Sequence, residues 1–389
     1  MWMIPMFGRT LVRRPKANPE LFFIYMKWNI LRPCLLGLVL LHSADQASAK
    51  EQLPNLSDEK PAARFTVTDR TWPSNPGDAE ICLWKDDKIA PVCFTVDDNS
   101  APDVPWWMEM GEKYGFPVTW FIISKNVGGN GVGGTWDLWR EVLAKGHDVQ
   151  SHTHTHLHVD EPGWESIDWE YTESKKLIEE NLPGHRVRFL AYPGGPNSKL
   201  NDRVVAGKIY AGARGVTGTL VSPNQVDYMG VRAITGSSFD NPAAKWADFR
   251  RALDPNDKVF RSWGIYIYHM VKDKNADLHV FQFVADNKDK LWTGTFGDIS
   301  LYAQERDTAA LKVTENSSSK IAFTLEDKMD DKTFDYPLTV KVRLPDAWKG
   351  VKATQDGKDV GTAWIEHEGK PYALVQAVPD RGPVTLAAR

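Results

Sequence analysis

Pro91-Val92-Cys93-Phe94-Thr95-Val96-Asp97-Asp98 is an apolar run that ends in two adjacent carboxylates. A short run of this kind, bounded by turn residues, reads as a buried strand. About fifty residues later, Gly146-His147-Asp148-Val149-Gln150-Ser151 leads into His152-Thr153-His154-Thr155-His156-Leu157-His158, where a second strand delivers histidines at its end. One carboxylate and two imidazoles make a three-ligand set that leaves a zinc-like ion an open position. Neighbouring aspartates at a strand end point in different directions, so one can bind metal while the other faces a reacting group. Gly264-Ile265-Tyr266-Ile267-Tyr268-His269 repeats the pattern, with His269 suited to proton donation near neutral pH.

Each of these features has a plainer reading. Paired aspartates also cap helices, and Asn99-Ser100 with Pro102 could open one. A histidine-rich tract can be a surface segment that picks up metal adventitiously. His269 alone would pass for a satisfied core histidine. Delivery of all three to strand ends favours the chemical reading, with His152 and His156 as the ligand pair and His154 and His158 as neighbours.

Outward from these segments, strands are expected at 91–96, 117–123, 146–151, 188–193, 212–217, 262–269 and 290–296. Helices are expected at 102–114, 135–145, 164–182, 200–210, 242–253 and 278–287. This alternation predicts an α/β fold, as a barrel or an open sheet, with functional groups at strand ends. Beyond about residue 308 short alternating runs punctuated by Asp330-Asp331, Asp356-Gly357 and Glu368-Gly369 predict a small C-terminal β-sandwich. It has no cluster of ligand-type residues and reads as an accessory module.

The net charge of -4 gives no reason to expect nucleic acid as a partner. Sixteen tryptophans are unusual; most belong in the core, and a few could stack on sugar rings. Met26-Lys27-Trp28-Asn29-Ile30-Leu31-Arg32 gives a basic start, Leu35 to Leu41 an apolar stretch too short to span a membrane, and Ala47-Ser48-Ala49 a cleavage-type sequence. Residues 1–49 therefore read as signal peptide and leader, and the protein as exported, periplasmic or extracellular, with no membrane span. Residues 50–79 read as an irregular segment, 80–305 as the catalytic domain and 306–389 as the sandwich. Cys82 and Cys93 flank Lys85-Asp86-Asp87-Lys88, which looks like a hairpin turn; a disulfide and two buried thiols both fit.

Taken together, the segments resemble the polysaccharide deacetylase family, carbohydrate esterase family 4. Its Thr-Phe-Asp-Asp-Gly motif is similar to Thr95-Val96-Asp97-Asp98-Asn99, and its His-Ser/Thr-x-x-His motif to His152-Thr153-His154-Thr155-His156. Its Arg-x-Pro-x-Gly motif resembles Ala191-Tyr192-Pro193-Gly194-Gly195, and its Leu-x-Leu-x-His motif Ile265-Tyr266-Ile267-Tyr268-His269. The resemblance covers about residues 80–300. It implies a distorted (β/α) barrel and metal-dependent removal of N- or O-linked acetyl groups from a polysaccharide or oligosaccharide. Asp97 would be the base, Asp98, His152 and His156 the ligands of one divalent ion (Zn2+, with Co2+ or Ni2+ as alternatives), and His269 the acid. Tyr192 and Gly194 would serve the oxyanion or substrate. Three departures stand out: Asn99 replaces a glycine, Ala191 replaces the arginine that orients the base, and the fourth motif has no clear match. Arg188 or Arg232 could replace that arginine, and Asp240 could hold His269. The alternative is a non-catalytic glycan-binding protein on the same scaffold.

Overall fold

The computed structural model describes residues 70–129, 131–158, 166–195, 200–216, 218–235 and 249–389. The leader and Asp240 lie outside the described residues.

Ala79–Ile81 (β1) precedes a parallel sheet built from Ala90–Val96 (β2), Val118–Ile122 (β3), Asp148–Ser151 (β4), Phe189–Ala191 (β5), Gly212–Arg214 (β6), Ile234–Thr235 (β7) and Gly264–Tyr268 (β8). Leu291–Thr293 (β9) pairs with the start of β2. The sheet order is β6-β5-β4-β3-β2-β8-β7. Its ends meet. Gly215 N donates to Val231 O and Val231 N to Ala213 O, at 2.8 and 2.9 Å, while three residues on β7 pairs with β8. The segment 231–235 thus touches both edges and closes a distorted (β/α) barrel, leaving no free edge between β6 and β8.

Helices Val104–Tyr114, Trp136–Ala144, Ile167–Asn181, Leu200–Ile209 and Leu278–Asp286 follow the expected positions within a few residues. Alternate residues of β2 divide the two sides of the wall. Val92, Phe94 and Val96 pack with Trp107, Phe116 and Phe281 of the surrounding helical layer. Cys93 joins Phe121, Phe189, Ile265 and Ile267 in a second cluster.

The helix Phe296–Thr308 was not expected from the sequence. Every residue from Phe296 to Arg306 except the half-buried Asp298 is buried, polar Gln304, Glu305 and Arg306 included. With no solvated face it lacks the one-sided apolar stripe that marks a surface helix. A reciprocal cap, Thr295 with Asp298, starts it. Phe296 meets Phe121, Phe189 and Trp263, whereas Leu301 and Ala303 share a core with Ile321, Val340 and Val375 of the C-terminal module. The helix therefore stops the base of the barrel and makes its interior continuous with the sandwich.

That module comprises Ala310–Asn316 (β10), Lys320–Glu326 (β11), Leu338–Arg343 (β12), Val351–Gln355 (β13), Lys358–Asp359 (β14), Thr362–His367 (β15), Lys370–Ala377 (β16) and Val384–Ala388 (β17). One sheet runs β10-β11-β17-β13-β14 and the other β1-β12-β16-β15. β1 comes from far upstream and pairs antiparallel with β12. The Cys82–Cys93 segment is consequently not a hairpin: β1 and β2 belong to different sheets, and both thiols are free and buried. No helix among the described residues is long and apolar enough to cross a membrane.

Candidate active site

The C-terminal ends of β2, β4 and β8 converge. Asp97 and Asp98 leave β2, His152 leaves β4 and His269 leaves β8. This is the face where barrel strands hand over to variable loops.

The turn after β2 is unusual. Asp98, Asn99 and Ser100 all take left-handed backbone angles, with φ of +57°, +61° and +44°. Three such non-glycine residues in a row are disfavoured unless their surroundings hold them. Here Ser100 Oγ donates to Asp97 O at 2.8 Å. Asn99 is fully buried; its Nδ2 donates to Gly133 O at 3.1 Å, and Ile123 N donates to its Oδ1 at 3.0 Å. The asparagine that replaces the motif glycine ties the turn to the end of β3.

The histidine segment is held in the same way. His152 is 2% exposed, and its Nδ1–H donates to Ala191 O at 2.8 Å, which leaves Nε2 as the lone-pair nitrogen. His156 has φ +66°, and its N–H donates to Thr153 Oγ1 at 3.0 Å. Between them, the buried Glu170 carboxylate accepts both the N–H and the hydroxyl of Thr155 at 2.8 Å.

Asp98 Oδ1 lies 3.4 Å from His152 Nε2 and 3.3 Å from His156 Nε2. One ligand atom from each residue falls within 4.8 Å of the others. Asp98 Oδ1 is itself buried with no hydrogen-bond partner. Partial burial works against ionisation of Asp98, but the neighbouring imidazoles of His152, His269 and His156 outweigh it and bring its pKa to about 2. Burial, reinforced by His152, lowers His156 below its ordinary value and favours the neutral ring a metal requires. Two imidazoles and one carboxylate with an unused oxygen fit one divalent ion.

Asp97 is 1% exposed, with Oδ2 3.9 Å from His152 Nε2. Its partner is Arg214, at the end of β6 and fully buried, whose Nη2 donates to both carboxylate oxygens, with 2.5 Å to Oδ2. Arg214 Nη1 is fixed in turn on Gly215 O at 2.9 Å. Arg214 occupies the place left by Ala191. The sequence reading missed it because it stands 117 residues from Asp97 in a strand of three; the one available signal was a charged residue in a run predicted to be buried. Arg188 turns elsewhere, to Asp335 and to Thr333 O of the C-terminal module, at 3.0 and 2.9 Å. Arg232 is exposed.

His269 Nε2 lies 3.6 Å from Asp98 Oδ2, on the opposite side of that carboxylate from the histidine pair. Gly194 has φ +66°, and a side chain there would meet His158 Nδ1 at 2.6 Å, so glycine is required on both counts. The His158 ring sits 5.0 Å from that of His156, which places Gly194 at the rim. Tyr192 does not face the site: its ring is buried, its hydroxyl donates to Met229 O at 2.9 Å and its N–H to Arg214 O at 3.1 Å. His154 also turns away, to Ser124 Oγ at 2.9 Å.

Residues 85–215, which hold this constellation apart from His269, match the family model described as polysaccharide deacetylase. That stretch is a polysaccharide deacetylase domain. A gellan lyase of Bacillus sp is 34% identical over 372 residues, covering 88% of this chain and 14% of the lyase. At 88% of this chain, that match extends beyond the barrel. YxkH of Bacillus subtilis strain 168, whose name places it among polysaccharide deacetylases, is 28% identical over 122 residues, covering 31% of this chain and 43% of YxkH. The chain thus spans less than half the length of either relative. Among solved structures, the Xyl-CE4 domain of a multidomain xylanase from the hindgut metagenome of Trinervitermes trinervoides aligns with a TM-score of 0.37 and 16% identity, over 54% of this chain and 89% of that one. In this polysaccharide deacetylase domain, Arg214 carries the pairing that the altered third motif lacks.

Proposed function

We propose that this chain is an exported, metal-dependent hydrolase that removes N- or O-linked acetyl groups from a polysaccharide or oligosaccharide. The observation that carries the reading is the buried Asp97, held by Arg214, beside the Asp98–His152–His156 set with His269 across from it. Binding alone needs neither a positioned base nor a positioned acid, which weighs against a non-catalytic glycan binder.

Asp98, His152 and His156 would hold a divalent ion, Zn2+ by the preference of such donor sets, and that ion supplies Lewis acidity toward the acetyl carbonyl and the attacking water. Asp97 accepts the water's proton; the Arg214 fork fixes the direction its carboxylate faces. His269 gives a proton to the departing nitrogen or oxygen. The Gly194 backbone, with no side chain in the way, offers its N–H to the developing oxyanion. Nothing in this set distinguishes an amide from an ester, since both carbonyls pass through the same tetrahedral geometry.

The test is acetate release by metal-stripped and zinc-reloaded protein from a panel of N- and O-acetylated oligosaccharides, with gellan included because of the lyase relative. Zinc-dependent acetate release supports the proposal. Products carrying a new carbon–carbon double bond, without acetate, would replace it with a lyase reading. Amino-terminal sequencing of secreted protein, expected to begin after Ala49, tests export.

A further inference from the structure

At the end of the barrel opposite the active site, a second polar cavity lies against the C-terminal module. It measures about 410 Å3 and is lined by Arg70, Glu80, Asp87, Arg261 and Lys341 with apolar neighbours. Asp87 precedes β2 and Arg261 precedes β8, so both come from the strand-entry side of the sheet. Glu80 and Lys341 face each other across β1 and β12.

The charges do not balance. Three cations meet two carboxylates, and their partners show which cation is in surplus. Lys341, 1% exposed, donates to Thr71 O at 2.8 Å and Glu80 Oε1 at 3.1 Å, and lies 3.0 Å from Asp87 Oδ2, a buried oxygen that has no hydrogen-bond partner. Arg70 sits at the exposed rim, 3.5 Å from Asp87 Oδ2. Arg261 is also 1% exposed, yet among the described residues its Nε and Nη1 are buried with no hydrogen-bond partner. Burying unpaired guanidinium donors is costly. Burial draws its pKa down to about 10 with Asp87 opposing, so it remains a cation at neutral pH.

The backbone holds Arg261 there under strain. Arg261 has φ +65° and Asp87 φ +54°, two left-handed non-glycine residues lining one cavity. Arg261 is pinned through its N–H to Ala252 O and by Trp84 Nε1 to its carbonyl, both at 2.8 Å. Backbone strain of this kind clusters at ligand clamps and active sites.

We propose that this cavity is a second binding site, specific for a single carboxylate, with Arg261 as its recognising cation. A guanidinium with unused N–H donors is a natural partner for a carboxylate. The surplus is one positive charge, and Glu80 and Asp87 disfavour a dianion such as phosphate. The volume admits a monosaccharide. The carboxylate can therefore come from a small free acid or from an acidic sugar unit of a glycan. This inference does not depend on the deacetylase reading.

The experiment is calorimetric and NMR titration of the zinc-loaded protein with acetate, glucuronate, phosphate and neutral glucose, with the Trp84 indole resonance, whose N–H meets Arg261 O, reporting this cavity apart from the metal site. Acetate and glucuronate are expected to saturate while glucose and phosphate do not. Equal affinity for both acids identifies a small-acid site, and tighter glucuronate an acidic-saccharide site. Arg261→Gln is expected to weaken binding about 10- to 100-fold. Should that variant fail to fold by circular dichroism, Arg70→Ala at the rim is expected to weaken binding severalfold. Absence of saturation by either acid, glucose binding as well as glucuronate, or full affinity in a folded Arg261→Gln protein (with Arg70→Ala likewise unchanged) would overturn the proposal.

Discussion

The two ends of the barrel are built on opposite principles. At the strand-exit end the backbone is strained and the polar atoms converge: Asp98, Asn99, Ser100, Thr153 and His156 all have positive φ, and Asp98 Oδ1 is buried without a partner. At the strand-entry end the helix Phe296–Thr308 fills the interior and joins it to the sandwich, so that apolar contact dominates. The base can hold the exit end in an unfavourable conformation because burial there is extensive and its loss on distortion would be large. The second cavity is the exception at the base, where charge interrupts the apolar join.

Substitutions at the two ends should separate chemistry from stability. Asp97→Asn is expected to reduce acetate release by about 10^3-fold while metal content per chain, read by elemental analysis, stays unchanged. Asparagine Oδ1 still accepts from Arg214, but the buried cation loses its counter-charge, so turnover is read per folded molecule. Arg214→Met leaves the Asp97 carboxylate buried and unpaired; denaturant unfolding should show a loss of about 3–5 kcal/mol together with lost turnover. A stable, active Arg214→Met protein would remove Arg214 from its assigned place.

At the other end, Ile299→Ala is expected to cost about 2–4 kcal/mol with turnover per folded molecule unchanged. A large activity defect there would mean that the ends are coupled. Glu305, on the same helix, tests the base by pH. Burial raises its pKa from 4.5 to about 8, although it accepts the Tyr336 N–H at 2.7 Å. The folded state thus holds the proton more tightly than the unfolded one, and stability should fall as pH rises from about 4.5 to about 8. Asp202, raised to about 7 by burial, adds to the same slope. Glu305→Gln should flatten the melting temperature across that window and stabilise the protein at pH 8. The smallest effect is expected from Arg188→Ala, which breaks a partly exposed pair with Asp335: about 1 kcal/mol or less, with turnover intact.

Much of the exit end was legible because its signals are local. Asp97 and Asp98 follow directly on the strand that presents them, His152 and His156 lie four residues apart, and His269 closes an alternating run. Strand polarity then places all five on one face, since parallel strands end on the same side. The strands of the C-terminal module were legible for the same reason, as period-two patterns between turns. Tyr192 misled because its motif position says nothing about which way a ring points, and packing sent it into the core.

What the sequence determined by itself, then, was the set of reactive groups and the order in which strands carry them, because periodicity and turn residues act over a few positions. Three features were decided only in the folded molecule. Arg214 reaches Asp97 across 117 residues, the 231–235 segment closes the sheet by touching both edges, and the helix Phe296–Thr308 is buried over most of its length. Each depends on contacts between elements far apart in the chain, and such contacts leave no periodic trace in the segments that make them.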